Sequence, residues 1–94
     1  QRSHSIANGI PVMVANRTGV ETSPKSPEDN ITFWGSSFIT STRGQVLSQA
    51  TVDKEQVLVA EVEKADTESI RQYWPHFRDR RIDAYADLTR RYID

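Results

Sequence analysis

Ile31-Thr-Phe-Trp-Gly-Ser-Ser-Phe-Ile-Thr40 joins the longest polar stretch of the chain to its most strand-like central residues. Phe38 and Ile39 are apolar and fit a pleated, half-buried surface. Gly35-Ser36-Ser37 are small and leave the backbone open to close approach by a ligand or a neighbouring strand. Such a segment can therefore belong to a core and to a binding rim at once.

Upstream of it, Arg17 to Asn30 reads as a loop of roughly 14 residues punctuated by Gly19, Pro24 and Pro27, longer than ordinary connections. Before that loop, Val12-Met-Val-Ala15 is a continuous apolar run, the pattern of a strand covered on both faces. Gln1 to Asn8 has helical character, and Asn8-Gly9 followed by Pro11 is a helix stop. An Asn-Gly pair also marks hairpins, but Gln1 to Ser5 lacks a strand pattern. Helix followed by buried strand is the second half of a βαβ unit, so a parallel neighbour is expected outside these residues.

Downstream, Ser41-Thr-Arg-Gly44 reads as a hairpin turn with Gly44 at positive φ, and Val46 and Leu47 begin the return strand. Gln56-Val-Leu-Val-Ala-Glu-Val62 carries the strongest strand signal present. The middle of the chain is thus expected to be an antiparallel meander attached to one parallel strand. Asp66 or Thr67 can cap a helix that sets Ile70, Tyr73 and Trp74 on one face and ends at Pro75. Asp83 can cap a last short helix bearing Tyr85, Leu88 and Tyr92.

The 94 residues make at most one small domain, and a chain of this size buries only about 60 to 65 % of its unfolded surface. With 36 % hydrophobic residues concentrated in a few runs, it has the composition of a piece that leans on something else. Its 12 basic and 13 acidic residues give a net charge of -1, so no long-range field steers it to nucleic acid or an anionic membrane. Arg78-Asp-Arg-Arg81 with Arg90 and Arg91 is interleaved with Asp79, Asp83 and Asp87, a pattern of ion-pair networks on a tail more than of phosphate binding. No apolar run approaches the roughly 20 residues that span a bilayer, and no charged leader precedes an apolar stretch. A soluble, cytoplasmic protein is expected.

Cysteine is absent, which excludes disulfides, thiolate metal sites and a cysteine nucleophile within these residues. His4 and His76 have no partner at metal-ligand spacing, so neither a metal nor another cofactor is expected. Gly35-Ser36-Ser37 lacks the second glycine of a nucleophile elbow, and its serines read as packing residues. Asn16, Arg17 and Glu21 stand where a buried strand gives way to the long loop, a position at which α/β sheets bind ligands. Equally, they can tie the loop down by hydrogen bonds. Trp34 can wall a pocket or cover a hydrophobic edge.

These fragments together resemble the carbon-nitrogen hydrolase (nitrilase) superfamily over nearly the whole chain, at its C-terminal third, and most closely the N-carbamoylputrescine amidase branch. The resemblance rests on the order and spacing of Ala7-Asn-Gly-Ile-Pro-Val12, Asn16-Arg-x-Gly-x-Glu21, Ile31 to Ile39, Arg43-Gly44, Arg71-x-x-Trp-Pro-x-Phe-Arg-Asp-Arg-Arg81 and Tyr85-x-x-Leu-Thr89. It implies an α/β fold in which residues 1–94 are the C-terminal portion of one domain, a four-layer α-β-β-α sandwich with a mixed sheet, an antiparallel meander and C-terminal helices. It further implies hydrolysis of a carbamoyl or amide C–N bond by a cysteine, a glutamate and a lysine lying upstream, so no catalytic role falls on any residue here. The implied partners are the remainder of the same domain, a small-molecule substrate, and further copies bound through the tail from Trp74 onward. Within that sandwich the resemblance makes Ile31 to Thr40 an inner strand with Phe33 and Trp34 near the pocket and Phe38 and Ile39 in the core, and Asn16, Arg17, Glu21, Phe33 and Trp34 are the candidate substrate-binding residues. Glu21 and Trp34 suit a cationic amine, whereas Arg17 suits a carboxylate. Two other outcomes stand beside this one: an amidase acting on N-carbamoyl amino acids or ω-amides, and a non-catalytic interaction module that merely shares the sheet.

Overall fold

The computed structural model describes residues 1–93. Helix α1 (Arg2–Asn8) stops at Gly9, whose φ of 59° and ψ of 44° are left-handed and carry little penalty without a Cβ. The Gly9 N–H donates back to the Ile6 carbonyl and the Ile10 N–H to that of Ser5, closing the expected cap. Strand β1 (Val12–Val14) follows.

β1 pairs antiparallel with β4 (Phe38–Thr40), which pairs antiparallel with β5 (Val46–Gln49), giving a three-stranded sheet in the order β1-β4-β5. The expected centrality of Phe38 and Ile39 holds: β4 is the middle strand, and Ile39 is one of the two buried hydrophobic residues among those described. The β4–β5 turn also forms as its sequence indicates. The Ser41 N–H donates to the Gln45 carbonyl at 2.8 Å, with Gly44 at φ 72°. A Cβ on Gly44 would lie 2.9 Å from Ile6 Cγ1 and 3.1 Å from the Arg2 carbonyl oxygen, so the glycine lets α1 settle onto this turn.

Several expectations are corrected. Residues 17–30 are not one long loop. Thr18–Thr22 forms β2, Asn30–Trp34 forms β3, and the two pair as a separate antiparallel hairpin in the register Thr18↔Trp34 to Thr22↔Asn30. Ile31 to Thr40 is consequently not one inner strand: Gly35 (φ 51°) and Ser36 (φ 57°) break it into β3 and β4, which belong to different sheets. β1 is not covered on both faces, since Met13 is 78 % exposed and nothing among the described residues overlies that side. Gln56 to Val62 forms no strand. Val57 and Val59 lie open to solvent, because strand propensity yields a strand only where backbone groups find a partner ladder.

Helix α2 (Lys64–Tyr73) begins at Glu63, ahead of the expected caps. Asp66 lies in the first turn, where its charge complements the helix dipole, and Thr67 lies beyond it. Ile70 is the buried residue of this helix, while Tyr73 and Trp74 are exposed, so the expected shared face is covered only at Ile70. Trp74 is the last residue before Pro75, as expected. The final expected helix is instead two 3-10 turns, Ile82–Ala84 and Ala86–Thr89, with Asp83 inside the first of them. The tail arginines pair with the acids between them: Arg78 with Asp79 at 3.1 Å, Arg81 with Asp83 at 2.5 Å and Arg90 with Asp87 at 3.3 Å.

Helix α1 on the three-stranded sheet makes one α layer on one β layer. The Cα radius of gyration is 19.5 Å, against about 12 Å for a self-contained domain of this length. Among the described residues only Ile39 and Ile70 are buried hydrophobic residues, so these elements do not close a core among themselves. Among the described residues no helix is long and apolar enough to cross a membrane.

Candidate functional site

The candidate residues cluster where β1 hands the chain to the β2–β3 hairpin. Asn16 stands just past β1. Its backbone N–H donates to Ser37 Oγ at 2.9 Å, its side-chain Nδ2 donates to the Gly35 carbonyl at 2.7 Å, and its Oδ1 accepts from the Arg17 N–H at 2.9 Å. Both ends of this amide are engaged within the fold. These bonds tie the start of the hairpin to the end of β3 and the residue before β4.

Side chains alternate across a strand, so Arg17, Gly19 and Glu21 share one face of the hairpin with Ile31 and Phe33. Gly19 stands opposite Phe33 in the hairpin register. The Arg17 guanidinium carbon lies 4.2 Å from the Phe33 ring centroid, within cation–π range. The same guanidinium grips both oxygens of Glu21, with Nη1 to Oε2 at 3.2 Å and a closer contact from Nη2 to Oε1. Such fork-to-fork pairing fixes direction as well as charge. Hydrogen bonding from Arg17 holds the Glu21 carboxyl below its ordinary range, and the same bonds hold Arg17 above its own. Both groups are therefore charged at neutral pH, and acidification that protonates the carboxyl weakens the pairing. Both side chains are more than half exposed, at 60 % and 56 %, so solvent screens the attraction and leaves both groups accessible.

Trp34 falls on the other face. It lines a cleft of about 430 Å³ with Gly19, Val20, Thr32, Phe33, Val52 and Asp53. The five candidates thus fall as Arg17, Glu21 and Phe33 on one face of the hairpin, Asn16 at its base, and Trp34 on the opposite face, with Phe33 and Trp34 both bordering that cleft. Ser37 and Gly35 were not among them, and both build the junction. Their signal in the sequence was the run of small residues directly after an aromatic strand end. Among the described residues no group of three potential ligands is placed to hold a metal ion. Neither face carries a cysteine, which these 94 residues lack. What the charged face can do is hold the ends of a small polar molecule, a carboxylate for an ammonium and a guanidinium for a carboxylate.

The carbon-nitrogen hydrolase family model matches residues 1–72, which is most of the chain. The chain belongs to the carbon-nitrogen hydrolase family. A carbon-nitrogen hydrolase of known crystal structure, from Helicobacter pylori G27, superposes on 99 % of the chain with a TM-score of 0.85 and 48 % sequence identity. N-carbamoylputrescine amidase of Oryza sativa subsp. japonica is 41 % identical over 88 residues, and a citrullinase of Francisella tularensis is 34 % identical over 91. The chain covers 32 % of that hydrolase structure and 29 % and 31 % of those two relatives, so it spans about a third of a carbon-nitrogen hydrolase. At this identity the likeness carries fold as well as family, and the layers described above are those of the nitrilase-like α/β architecture.

Proposed function

We propose that these residues are the C-terminal third of a carbon-nitrogen hydrolase domain that removes the carbamoyl group of N-carbamoylputrescine, giving putrescine, CO2 and ammonia. The observation that carries the reading is the 38 to 41 % identity, over 93 % of the chain, to N-carbamoylputrescine amidases from four plants. The rest of the domain supplies a cysteine thiolate to attack the carbamoyl carbon, a glutamate to move the proton and a lysine ammonium to stabilise the oxyanion, before water releases the carbamoyl group. No cysteine is present in these 94 residues, so their part is to bind the far end of the substrate and to assemble the enzyme.

That far end is an ammonium group. Glu21 is an exposed carboxylate on a face already lined by an aromatic ring, and it can exchange part of its Arg17 pairing for the incoming cation. Replacing it in the longer hydrolase, Glu21→Gln, is expected to raise KM for N-carbamoylputrescine about tenfold with kcat little changed, the loss of one charge-assisted contact. An unchanged KM, read by ammonia release, counts against the role of Glu21.

A second reading is favoured by Arg17, whose exposed guanidinium suits a carboxylate, and by the 34 % identity to a citrullinase. Citrulline carries the same ureido group but ends in an amino acid. Measuring kcat/KM for both compounds separates the two, and a preference for citrulline overturns the putrescine reading.

The tail completes the proposal. Trp74, Phe77, Tyr85, Leu88 and Tyr92 are exposed apolar residues on 3-10 turns and extended chain, a surface suited to packing on neighbouring helices and on a second subunit. Truncation of the longer hydrolase after Pro75 is expected to shift its sedimentation to smaller species or reduce its solubility. An unchanged profile argues against a homo-oligomer held by the tail.

A further inference from the structure

We propose that Ser37 is a positioning residue: with Asn16 it forms a hydrogen-bonded clasp that sets the angle of the β2–β3 hairpin on the main sheet, and so sets selectivity for the charged end of the substrate. The proposal rests on the reading that the hairpin face carrying Glu21 meets substrate.

The hairpin forms its own two-stranded sheet, so no ladder to β1, β4 or β5 orients it. Its orientation falls to the junction. β1 and β4 run together as far as Val14↔Phe38, and one step further the ladder is continued by a side chain in place of backbone. Ser37 Oγ accepts from the Asn16 N–H at 2.9 Å and lies 3.3 Å from the Asn16 carbonyl, to which it donates. One hydroxyl thereby satisfies both backbone groups of Asn16. From there Asn16 reaches both legs of the hairpin, Nδ2 to the Gly35 carbonyl at 2.7 Å and Oδ1 to the Arg17 N–H at 2.9 Å. The legs are also joined directly, with the Gly35 N–H donating to the Arg17 carbonyl at 2.9 Å.

Ser37 can do this because Gly35 and Ser36 both take positive φ, which turns the chain out of β3 and brings the Ser37 hydroxyl back over Asn16. Two further contacts brace the hairpin from the next turn: the Ser36 N–H to the Thr51 carbonyl at 3.2 Å and Thr18 Oγ1 to the Val52 carbonyl, also at 3.2 Å. These keep the hairpin attached when the clasp is cut, while the direction of its Arg17–Glu21 face is no longer fixed. A displacement of about 1 Å in a group that positions substrate suffices for a large loss of rate.

The test uses the longer hydrolase with N-carbamoylputrescine and with butylurea, which keeps the ureido group and lacks the distal charge. Ser37→Ala is expected to lower the ratio of kcat/KM for the two about tenfold, through KM for the charged substrate, with butylurea turnover unchanged. Amides of residues 18–22 and 30–34 should exchange with deuterium about tenfold faster, as expected of locally loosened structure. Ser37→Thr, which restores a hydroxyl, should keep the wild-type ratio. The nearly isosteric Ser37→Cys should give a smaller loss than alanine, and it carries the test if the alanine variant does not fold. Equal losses on both substrates, or exchange that does not change in the alanine and cysteine variants, overturn the clasp. A wild-type ratio near one instead overturns the substrate reading, and that result appears before any variant is made.

Discussion

Gly35→Ala is expected to destabilise the longer hydrolase by more than about 2 kcal/mol, the sum of left-handed backbone strain and an unrelieved clash. Gly35 is buried at φ 51°, where any side chain meets its own backbone. An added Cβ would lie 2.8 Å from the Thr51 carbonyl oxygen and 2.9 Å from that of Val52, closer than carbon and oxygen approach without displacement. Both obstacles are backbone, so no rotamer change relieves them. Moving Gly35 outward would stretch its bonds to the Arg17 carbonyl at 2.9 Å and to Asn16 Nδ2 at 2.7 Å, and with them the attachment of the hairpin. The expected result is a lowered midpoint of urea unfolding together with loss of selectivity for the charged substrate. Ser36→Gly is the control. Ser36 also sits at positive φ, at 57°, so glycine there relieves strain at the same bend, and its unfolding midpoint should stay near wild type. If alanine at 35 unfolds with the wild-type midpoint, the bend does not depend on glycine.

Features fixed by neighbours in sequence were the ones legible in it. The Asn8-Gly9 stop, the Ser41 to Gly44 turn and the end of α2 at Pro75 each depend on φ preferences of a few adjacent residues, and each stands where the sequence put it. Features that need a distant partner were not. Thr18 to Thr22 reads as loop because it is polar and followed by Pro24 and Pro27, yet it is held as a strand by residues 30–34. The alternation of Val20 with Thr22 and of Ile31 with Phe33, around a turn rich in Ser, Pro and Asp, was the available signal. Gln56 to Val62 fails in the opposite sense: its strand propensity is strong, but no described residue offers it a ladder. The candidate site follows the same division. Residue types at the end of β1 pointed to Arg17 and Glu21, whereas the separation of Trp34 from Phe33 follows from strand alternation once β3 is known to exist. Ser37 passed for packing because what it grips lies 21 positions away in sequence.

Thr40→Val is expected to cost about 2 kcal/mol or more, although it preserves shape and adds apolar surface. Thr40 is fully buried, and its Oγ1 joins three groups: it accepts from the Val12 N–H at 3.1 Å, donates to the Val12 carbonyl at 3.3 Å, and lies 2.5 Å from Ser5 Oγ. With its proton on the Val12 carbonyl, it accepts from Ser5. Ser5 is itself fully buried in α1, so this contact ties the helix to the middle strand of the sheet. Valine would leave the Val12 N–H and the Ser5 hydroxyl without that partner, and a buried donor with no acceptor loses the full cost of its desolvation. The loss should appear as a lowered midpoint of urea unfolding. Thr40→Ser keeps the hydroxyl and deletes one methyl group, and should cost about 1 kcal/mol or less. Adding Ser5→Ala to Thr40→Val removes the orphaned hydroxyl and should recover part of the loss, a coupling that a double-mutant cycle measures directly. Valine tolerated as well as serine would mean that the helix is seated by the apolar contacts of Ile6 and Ile70 and not by this buried pair of hydroxyls.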